Sequence, residues 1–386
     1  MAEHPPPVDL SLPVILALTV ALHAAFSGMR ITMSLSALHM GASPLTVGVI
    51  MSLLAALPAL YSLPAGRWID RVGVRTPMLL SAGLTCAGAV LAAAVPQLSA
   101  LFGVSLLASA FMLYHIAVHH AVGTMASDPA KRVHNFSVLA LSFATSAFIG
   151  PMSAGFSIDA LGYRWSFALM AVLAGCVFAA MWFVKFEAPD HATAGHGGGA
   201  RNARELMRNP ELRKVFVAST LLSMTWDLFT FVVPIHGNRI GLSASKIGAI
   251  IGVFGIAIFI VRLLMPFIGK RVREWQLLTM SVLVSAGTFV VLPLVHSAGL
   301  LALLGFVLGL GLGAAQPMIM SLLYTNAPKG RSGEAIGIRS LLLNSSQTGI
   351  PLLFGALGTA LGMIPVFWTA AGLLAAGCYY TRRRGA

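Results

Sequence analysis

Residues Ser62–Leu80 read SLPAGRWIDRVGVRTPMLL, a short charged segment between two long apolar stretches. Its spacing, G-x-x-x-D-R-x-G-x-R, is set by five residues: Gly66, Asp70, Arg71, Gly73 and Arg75. Because glycine has no side chain, it allows a helix to end at Gly66 and the chain to reverse tightly at Gly73. A carboxylate among arginines predicts an ionic latch at one membrane face. The alternative is an ordinary basic loop of a membrane protein.

The composition of the chain places it in a membrane. The sequence is 57% hydrophobic and 10% charged, with a mean hydropathy of +0.85, whereas soluble domains carry about 25% charged residues. Apolar runs of about 20 residues, the length that crosses a bilayer as a helix, recur along the chain. The first run is too long for a signal-peptide core, so we expect a retained helix. Twelve spans are predicted: about 12–38, 44–65, 76–95, 98–126, 134–158, 164–184, 214–235, 245–268, 276–295, 298–325, 334–358 and 363–381.

Basic residues are distributed unevenly between the loops. The net charge is +13, and nineteen Lys or Arg residues fall on the side that carries the N-terminus. The opposite side receives only Arg164, Arg239 and Lys246. Because cytoplasmic loops carry an excess of Lys and Arg, this pattern predicts cytoplasmic termini in a plasma membrane of the bacterial inner-membrane type. The charge therefore indicates topology and contact with membrane lipids, and no binding of nucleic acid is expected.

A second pattern lies in the fifth predicted span. Gly150, Pro151 and Gly155 match G-x-x-x-G-P-x-x-G-G, with Ser146 and Ala154 at the other small positions. Proline kinks a helix, and small residues permit tight packing, here expected against the eighth span. This pattern resembles the antiporter motif of the major facilitator superfamily of secondary transporters. The charged segment resembles the loop between the second and third helices of the same superfamily.

The two halves of the sequence repeat each other at a shift of 200 residues. Glycine and proline positions align in pairs: Gly41 with Gly241, Gly48 with Gly248, Pro151 with Pro351, Gly155 with Gly355 and Gly162 with Gly362. These matches carry weight because both residue types determine backbone geometry, although chance alignment in a low-diversity sequence is the alternative. Transporters of this superfamily are built from two such halves, with the substrate site between them.

The resemblance implies an all-α membrane protein with twelve transmembrane helices in two six-helix pseudo-repeats, the major facilitator fold. We expect a monomer with a cytoplasmic tail at 1–11, bundles at 12–184 and 214–381, a cytoplasmic linker at 185–213 and a basic tail at 382–386.

The resemblance also implies a partner for the charged segment. We expect Asp70 to act at the cytoplasmic start of the eleventh span, near Glu334, where a helix dipole stabilises a carboxylate. The repeat-equivalent position of Asp70 is Lys270, so the latch belongs to the first half alone. Closure of this latch would hold the cytoplasmic side shut.

Asp227 is the acidic residue near the middle of a predicted span, in the seventh of the twelve. Ionisable residues inside a bilayer are energetically unfavourable and are functional by default. Asp227 is therefore a candidate proton carrier; the alternative is a fixed ion pair with Arg30 or a histidine. Arg30 and His23 lie seven residues apart, on nearly one face of the first span. Arg30 is expected to attract an anionic substrate group or to balance Asp227.

Other polar residues within spans are further candidates. His115 and His119 share a helix face at i, i+4, as a hydrogen-bonded or titrating pair that lines the cavity or as structural residues. No metal is expected at this pair, because no further Cys or acidic ligand accompanies it. Gln316, Asn344 and Gln347 are neutral candidates for the cavity wall.

The sequence indicates a transporter, and an enzyme is excluded. It has no phosphate-binding loop and no ordered Ser-His-Asp or metal constellation, so we expect no cofactor and take the proton gradient as the energy source. The prediction is secondary active transport of a small organic solute by alternating access, with proton-coupled export as the direction. One alternative is an importer or facilitator of a small organic anion. Another is a transporter-like sensor or lipid-binding scaffold without flux.

Overall fold

The computed structural model describes residues 8–9, 11–125, 128–185, 203–268, 273–328 and 331–382. The first half contains α1 (Leu12–His39), α2 (Pro44–Val72), α3 (Arg75–Ala94), α4 (Leu98–Ala108), α5 (Phe111–Thr124), α6 (Pro129–Leu161) and α7 (Tyr163–Phe183). The second half contains α8 (Ala203–Arg208), α9 (Pro210–Arg239), α10 (Ala244–Ile268), α11 (Glu274–Val291), α12 (Ala298–Asn326), α13 (Ser332–Leu361) and α14 (Met363–Arg382). A short parallel pair joins β1 (Val8–Asp9) to β2 (Val184–Lys185).

Eleven segments within these ranges are long and apolar enough to cross a membrane. The one predicted span not among these eleven is the eleventh, 334–358, which corresponds to α13; this helix has 30 residues but carries a run of polar side chains at 344–348. It packs against α2, α9 and α14 as part of the helical assembly. Of the predicted linker, residues 186–202 lie outside the described part of the chain, and α9 already begins at Pro210.

The fourth predicted span, 98–126, is confirmed as one apolar segment, Leu98–Thr124, but its helix is interrupted between α4 and α5 at Ser109 and Ala110. The Ser109 hydroxyl donates to the Leu106 carbonyl at 2.6 Å, and the hydroxyl of Tyr61 on α2 donates to the Ser109 carbonyl at 2.7 Å. Side chains thus compete with the helical ladder at this position, which locally interrupts the helix.

The internal repeat is visible in the backbone. Four glycines with positive φ end or begin helices in repeat-related pairs: Gly41 (81°) and Gly241 (77°), Gly162 (89°) and Gly362 (84°). Glycine is required at these turns because other residues rarely adopt such φ angles. All four turns lie at one end of the bundles, which we call the Gly41 face; the turn at Gly73 lies at the opposite end, the Arg71 face.

The two halves pack through α2 against α13 and through α6 against α10. A β-carbon on Gly48 would overlap the carbonyl oxygen of Pro351, and a β-carbon on Gly248 would overlap that of Pro151. The same glycine–proline contact is therefore made twice, once by each half. Such close approach of two helix backbones requires small residues at the interface.

Hydrogen bonds join the halves at the Gly41 face. The Asp159 carboxylate at the end of α6 accepts from the backbone N–H groups of Ala244 (3.0 Å) and Ser245 (2.8 Å) at the start of α10. In the repeat-related place, the hydroxyl oxygen of Thr359 on α13 accepts from the Leu45 N–H at the start of α2 (2.9 Å). The halves are therefore held together at this face.

Candidate functional site

A cavity lies between the halves, lined by residues of α1, α2, α6, α9 and α10. On α1 the lining includes His23, Ser27, Arg30 and Ser34, which form one polar stripe along the helix. The opposite wall, from α9 and α10, includes Trp226, Thr230, Phe231, Ile251 and Phe254. The cavity thus has a polar side and a largely apolar, aromatic side, the composition of a small-molecule site.

Arg30 and Asp227, the two predicted charged candidates, belong to different halves and interact electrostatically. Asp227 is 7% exposed and stands on α9 between the lining residues Trp226 and Thr230. Its Oδ2 atom has no hydrogen-bond partner among the described residues. No direct salt bridge joins Arg30 to Asp227 among the described residues, although the two side chains are near each other.

The predicted histidines occupy two places. His23 lines the cavity, hydrogen-bonds to the Ser146 hydroxyl on α6, and stacks on Phe111 at 5.3 Å. His115 and His119 pack ring to ring at 4.4 Å within the first bundle, and His119 Nδ1 lies 2.7 Å from the His115 carbonyl oxygen. Neither is among the lining residues of the cavity, and their role stays a prediction.

The neutral candidates lie elsewhere in the second bundle. Gln316 on α12 accepts a hydrogen bond from Arg339 Nη2 at 2.7 Å, and Arg339 Nε donates to the Ser219 hydroxyl at 2.7 Å. Arg339 is 8% exposed, so it joins α9, α12 and α13 inside the bundle. Asn344 and Gln347 are half-buried on α13, and their place at the cavity wall stays a prediction.

Sequence reasoning assigned no site role to Arg339. The sequence does contain one indication of its importance: Arg339 falls within a predicted span, and an ionisable residue inside a membrane usually has a functional or structural role. That signal is weak here because Arg339 lies near the end of the span.

The small residues of α6 contact two different helices. Gly150 lies against α1, where a β-carbon would come within 2.5 Å of the Ala24 carbonyl oxygen. Pro151 and Gly155 lie against α10, through Gly248 and Ala244. Because Pro151 also lines the cavity, this segment connects the packing of the two halves to the site.

The charged segment at the Arg71 face is more helical than predicted. Gly66 does not end a helix: α2 continues through Asp70 and Arg71 to Val72, and the reversal falls at Gly73, whose φ is 78°. A β-carbon on Gly66 would meet no atom within 4 Å among the described residues. Arg71 and Arg75 are exposed. The side chains of Asp70 and Glu334 lie outside the described part of the structure, so their contact stays a prediction.

These features define a multi-pass membrane protein in which a cavity lies between two repeat-related helical bundles. The sequence model of the Major Facilitator Superfamily matches residues 15–348 and 215–386. The chain belongs to this superfamily.

Known proteins that resemble the chain agree with this assignment. It is 23% identical over 245 residues to the multidrug resistance protein MdtG of Salmonella arizonae and to that of Citrobacter koseri. The match covers 61% of this chain, and the chain spans 60% of the length of each relative. Among solved structures, a point mutant of the nucleoside transporter NupG superposes with a TM-score of 0.78 at 14% identity, covering 97% of this chain and 100% of that one. A POT family transporter in complex with a thioalcohol-conjugated peptide superposes with a TM-score of 0.76 at 16% identity, covering 95% and 94%.

Proposed function

We propose that this transporter exports a small organic solute by alternating access, in exchange for protons. The observation that carries the proposal is the Asp227 carboxylate, which is buried beside the cavity and has one oxygen without a hydrogen-bond partner among the described residues. Similarity to proteins named for multidrug resistance supports export as the direction.

Asp227 acts as the proton carrier in this proposal. An unpaired charge in a low-dielectric site is strongly unfavourable, and a bound proton or a bound cation relieves that penalty. When the cavity opens to water on one side, the carboxylate is solvated and exchanges its proton. When the cavity closes, the carboxylate needs a proton or a substrate group to neutralise it, and this requirement couples the two movements.

The two membrane faces have separate closures in the proposal. At the Gly41 face, the hydrogen bonds of Asp159 and Thr359 hold the halves together. At the Arg71 face, we expect Asp70 and Glu334 to contribute the latch that the superfamily resemblance implies. The excess of basic residues in the loops supports an orientation in which the Arg71 face and both termini lie on the cytoplasmic side of a bacterial inner membrane. The proposed unit is a monomer without a bound cofactor.

The test compares proton-driven flux with exchange that needs no gradient. A growth-inhibition and uptake screen first identifies a transported compound, which is then used in proteoliposomes. We expect Asp227→Asn, which mimics a permanently protonated carboxyl group, to abolish transport driven by a pH gradient and to preserve counterflow. Glu205→Gln is the matched control, because Glu205 is an exposed carboxylate whose partner is Arg331.

Persistent proton-driven transport by Asp227→Asn would remove Asp227 from the carrier role. If Asp227 instead serves only to balance Arg30, then Asp227→Asn should lower the folded yield. The double variant Arg30→Gln with Asp227→Asn should then restore that yield, which the carrier role does not require.

Arg30 favours a second candidate, import of a small organic anion, because it is the arginine that lines the cavity. The direction of net flux under an imposed proton gradient separates import from export. A lipid-binding scaffold or sensor would show no counterflow with any compound from the screen.

A further inference from the structure

The polar wall of the cavity contains a hydroxyl group that lacks a hydrogen-bond partner in the part of the chain that the structure describes. Ser27, Arg30 and Ser34 follow one another on α1 at spacings of three and four residues, so they share one helix face. Ser34 is 3% exposed, and its Oγ atom has no hydrogen-bond partner within the described ranges. Because buried polar groups are normally hydrogen-bonded, this hydroxyl group beside Arg30 indicates a ligand group that accepts hydrogen bonds.

The opposite wall presents aromatic faces. Trp226 on α9 and Phe254 on α10 pack edge to face, with ring centroids 5.0 Å apart, and Phe231 lies further along the same wall. These rings offer an apolar surface for the body of a ligand. Their faces also attract a cationic group, since the ring quadrupole is negative above and below the plane.

The internal repeat relates the charged positions to each other. At the 200-residue shift, Asp227 corresponds to Ser27, and Arg30 corresponds to Thr230. Each half therefore contributes one charged and one hydroxyl residue at equivalent places on α1 and α9, with opposite charges in the two halves. A ligand that touches both charges would bridge the two bundles, whose relative movement opens and closes the cavity.

The charges of these residues restrict which ligands fit. A ligand with one negative charge would pair with Arg30 but leave the Asp227 carboxylate unpaired, unless a proton binds to that carboxylate together with the ligand. A ligand with one positive charge would pair with Asp227 but leave Arg30 unpaired. An unpaired buried charge is the most unfavourable outcome in such a site. A zwitterion pairs with both and leaves the cavity electrically neutral.

We propose that the substrate is a zwitterion with an apolar or aromatic body, whose anionic group binds Arg30 and Ser34 and whose ammonium group binds Asp227. This inference rests on the proposed function. The ammonium group and the proton then compete for one carboxylate, so a bound substrate excludes the proton. That competition is the requirement for exchange of substrate against protons.

The test measures binding of one aromatic scaffold in four charge states to the purified full chain. Phenylalanine supplies the zwitterion, 3-phenylpropionate the anion, phenethylamine the cation and N-acetylphenylalanine amide the neutral form. A second series carries a naphthyl ring in place of the phenyl ring. We expect the zwitterion of at least one series to bind about tenfold or more tightly than either singly charged form, by equilibrium dialysis.

Variants assign the two charge contacts. In Arg30→Gln, the affinity for phenylalanine should fall to the affinity for phenethylamine, because the carboxylate contact is lost. In Asp227→Asn, the affinity for phenylalanine should fall to the affinity for 3-phenylpropionate, because the ammonium contact is lost. Arg262→Gln is the control, because Arg262 is an arginine within α10 that donates to the Ala140 carbonyl and does not line the cavity. For each variant, the ratios of the affinities for the four ligand forms are compared. A substitution that only shifts the conformational equilibrium changes all four affinities by the same factor and leaves these ratios unchanged. If Arg30→Gln fails to fold, Arg30→Lys should retain the preference.

Tighter binding of the anion or of the cation, equal binding of all forms, or no binding in both series would overturn the zwitterion proposal. This outcome is distinct from failure of the proposed function. Zwitterion preference without proton-driven flux overturns proton exchange alone. Proton-driven flux that depends on Asp227, with a preference for a singly charged ligand, overturns the substrate class alone.

Discussion

Replacing Asp159 with alanine tests how the Gly41 face is held closed. The carboxylate accepts from two backbone N–H groups at the start of α10, at 3.0 Å and 2.8 Å, and so caps a helix that belongs to the other half. Loss of a helix cap costs about 0.5–2 kcal/mol. Asp159 is exposed, so solvent screening places its contribution in the lower part of that range, about 0.5–1 kcal/mol. The population open at this face should therefore rise about two- to fivefold.

Labelling of a cysteine in the cavity measures this shift. Ser34→Cys is introduced after replacement of the native Cys86, Cys176 and Cys378 by serine or alanine. A membrane-impermeant maleimide is added from the Gly41 face, and the rate of labelling follows the open population. We expect Asp159→Ala to raise the labelling rate about two- to fivefold, in proportion to the shift calculated from the lost cap.

The matched control is Asp128→Ala. Asp128 caps its own helix, accepting from the Lys131 N–H at 3.2 Å, and lies toward the Arg71 face. It should leave the labelling rate unchanged. Thr359→Val removes the acceptor for the Leu45 N–H, so it should act in the same direction as Asp159→Ala and add to it. An unchanged rate in a well-folded Asp159→Ala protein, or an equal rise with Asp128→Ala, would refute this account of the closed face.

Three further changes test other parts of the molecule. Gly248→Val should lower the midpoint of thermal unfolding by several degrees, because the new β-carbon would overlap the Pro151 carbonyl oxygen and overpacking costs about 1–3 kcal/mol. Gly287→Val is the control, because a β-carbon on Gly287 meets no atom within 4 Å among the described residues. Equal midpoints for the two variants would contradict the close contact between α6 and α10. Asp70→Asn should slow transport while the folded yield stays intact, on the scale of a coupling free energy of about 1–3 kcal/mol; wild-type rates would argue against a latch. Asn202→Cys should react with an impermeant reagent only in opened cells, and labelling in intact cells would reverse the topology.

The sequence was sufficient for the fold because the decisive features are local or periodic. Apolar runs locate the spans, and Gly41, Gly162, Gly241 and Gly362 mark turns that only glycine favours. The repeat that aligns Gly48 with Gly248 and Pro151 with Pro351 in the sequence is also present in the structure, where Gly48 contacts Pro351 and Gly248 contacts Pro151. The ends of the helices were harder to predict from the sequence. For example, α2 continues past Gly66, because a single glycine does not stop a helix whose neighbouring residues favour helix.

The candidate site was predicted in part. Arg30 and His23 line the cavity, and Asp227 lies beside it, because ionisable residues stand out in an apolar span. Contacts between helices that are distant in sequence were not predictable. Asp159 reaches the start of α10 across 85 positions, and Arg339 reaches Ser219 across 120. The periodicity of residues along one helix does not indicate which polar groups of two different helices contact each other.

The positions of Arg30 and Asp227 also connect the charge of the substrate to the direction of transport. If the substrate were an anion that pairs with Arg30, it would remove the cation that balances Asp227. A proton on Asp227 would then bind together with the substrate, and both would move inward with the proton gradient. If the substrate supplies an ammonium group to Asp227, proton and substrate exclude each other and move in opposite directions. Binding linkage is reciprocal, so the effect of substrate on proton binding alone distinguishes the two cases. Proton release on substrate binding, measured in weakly buffered solution, supports exchange and export; proton uptake supports import.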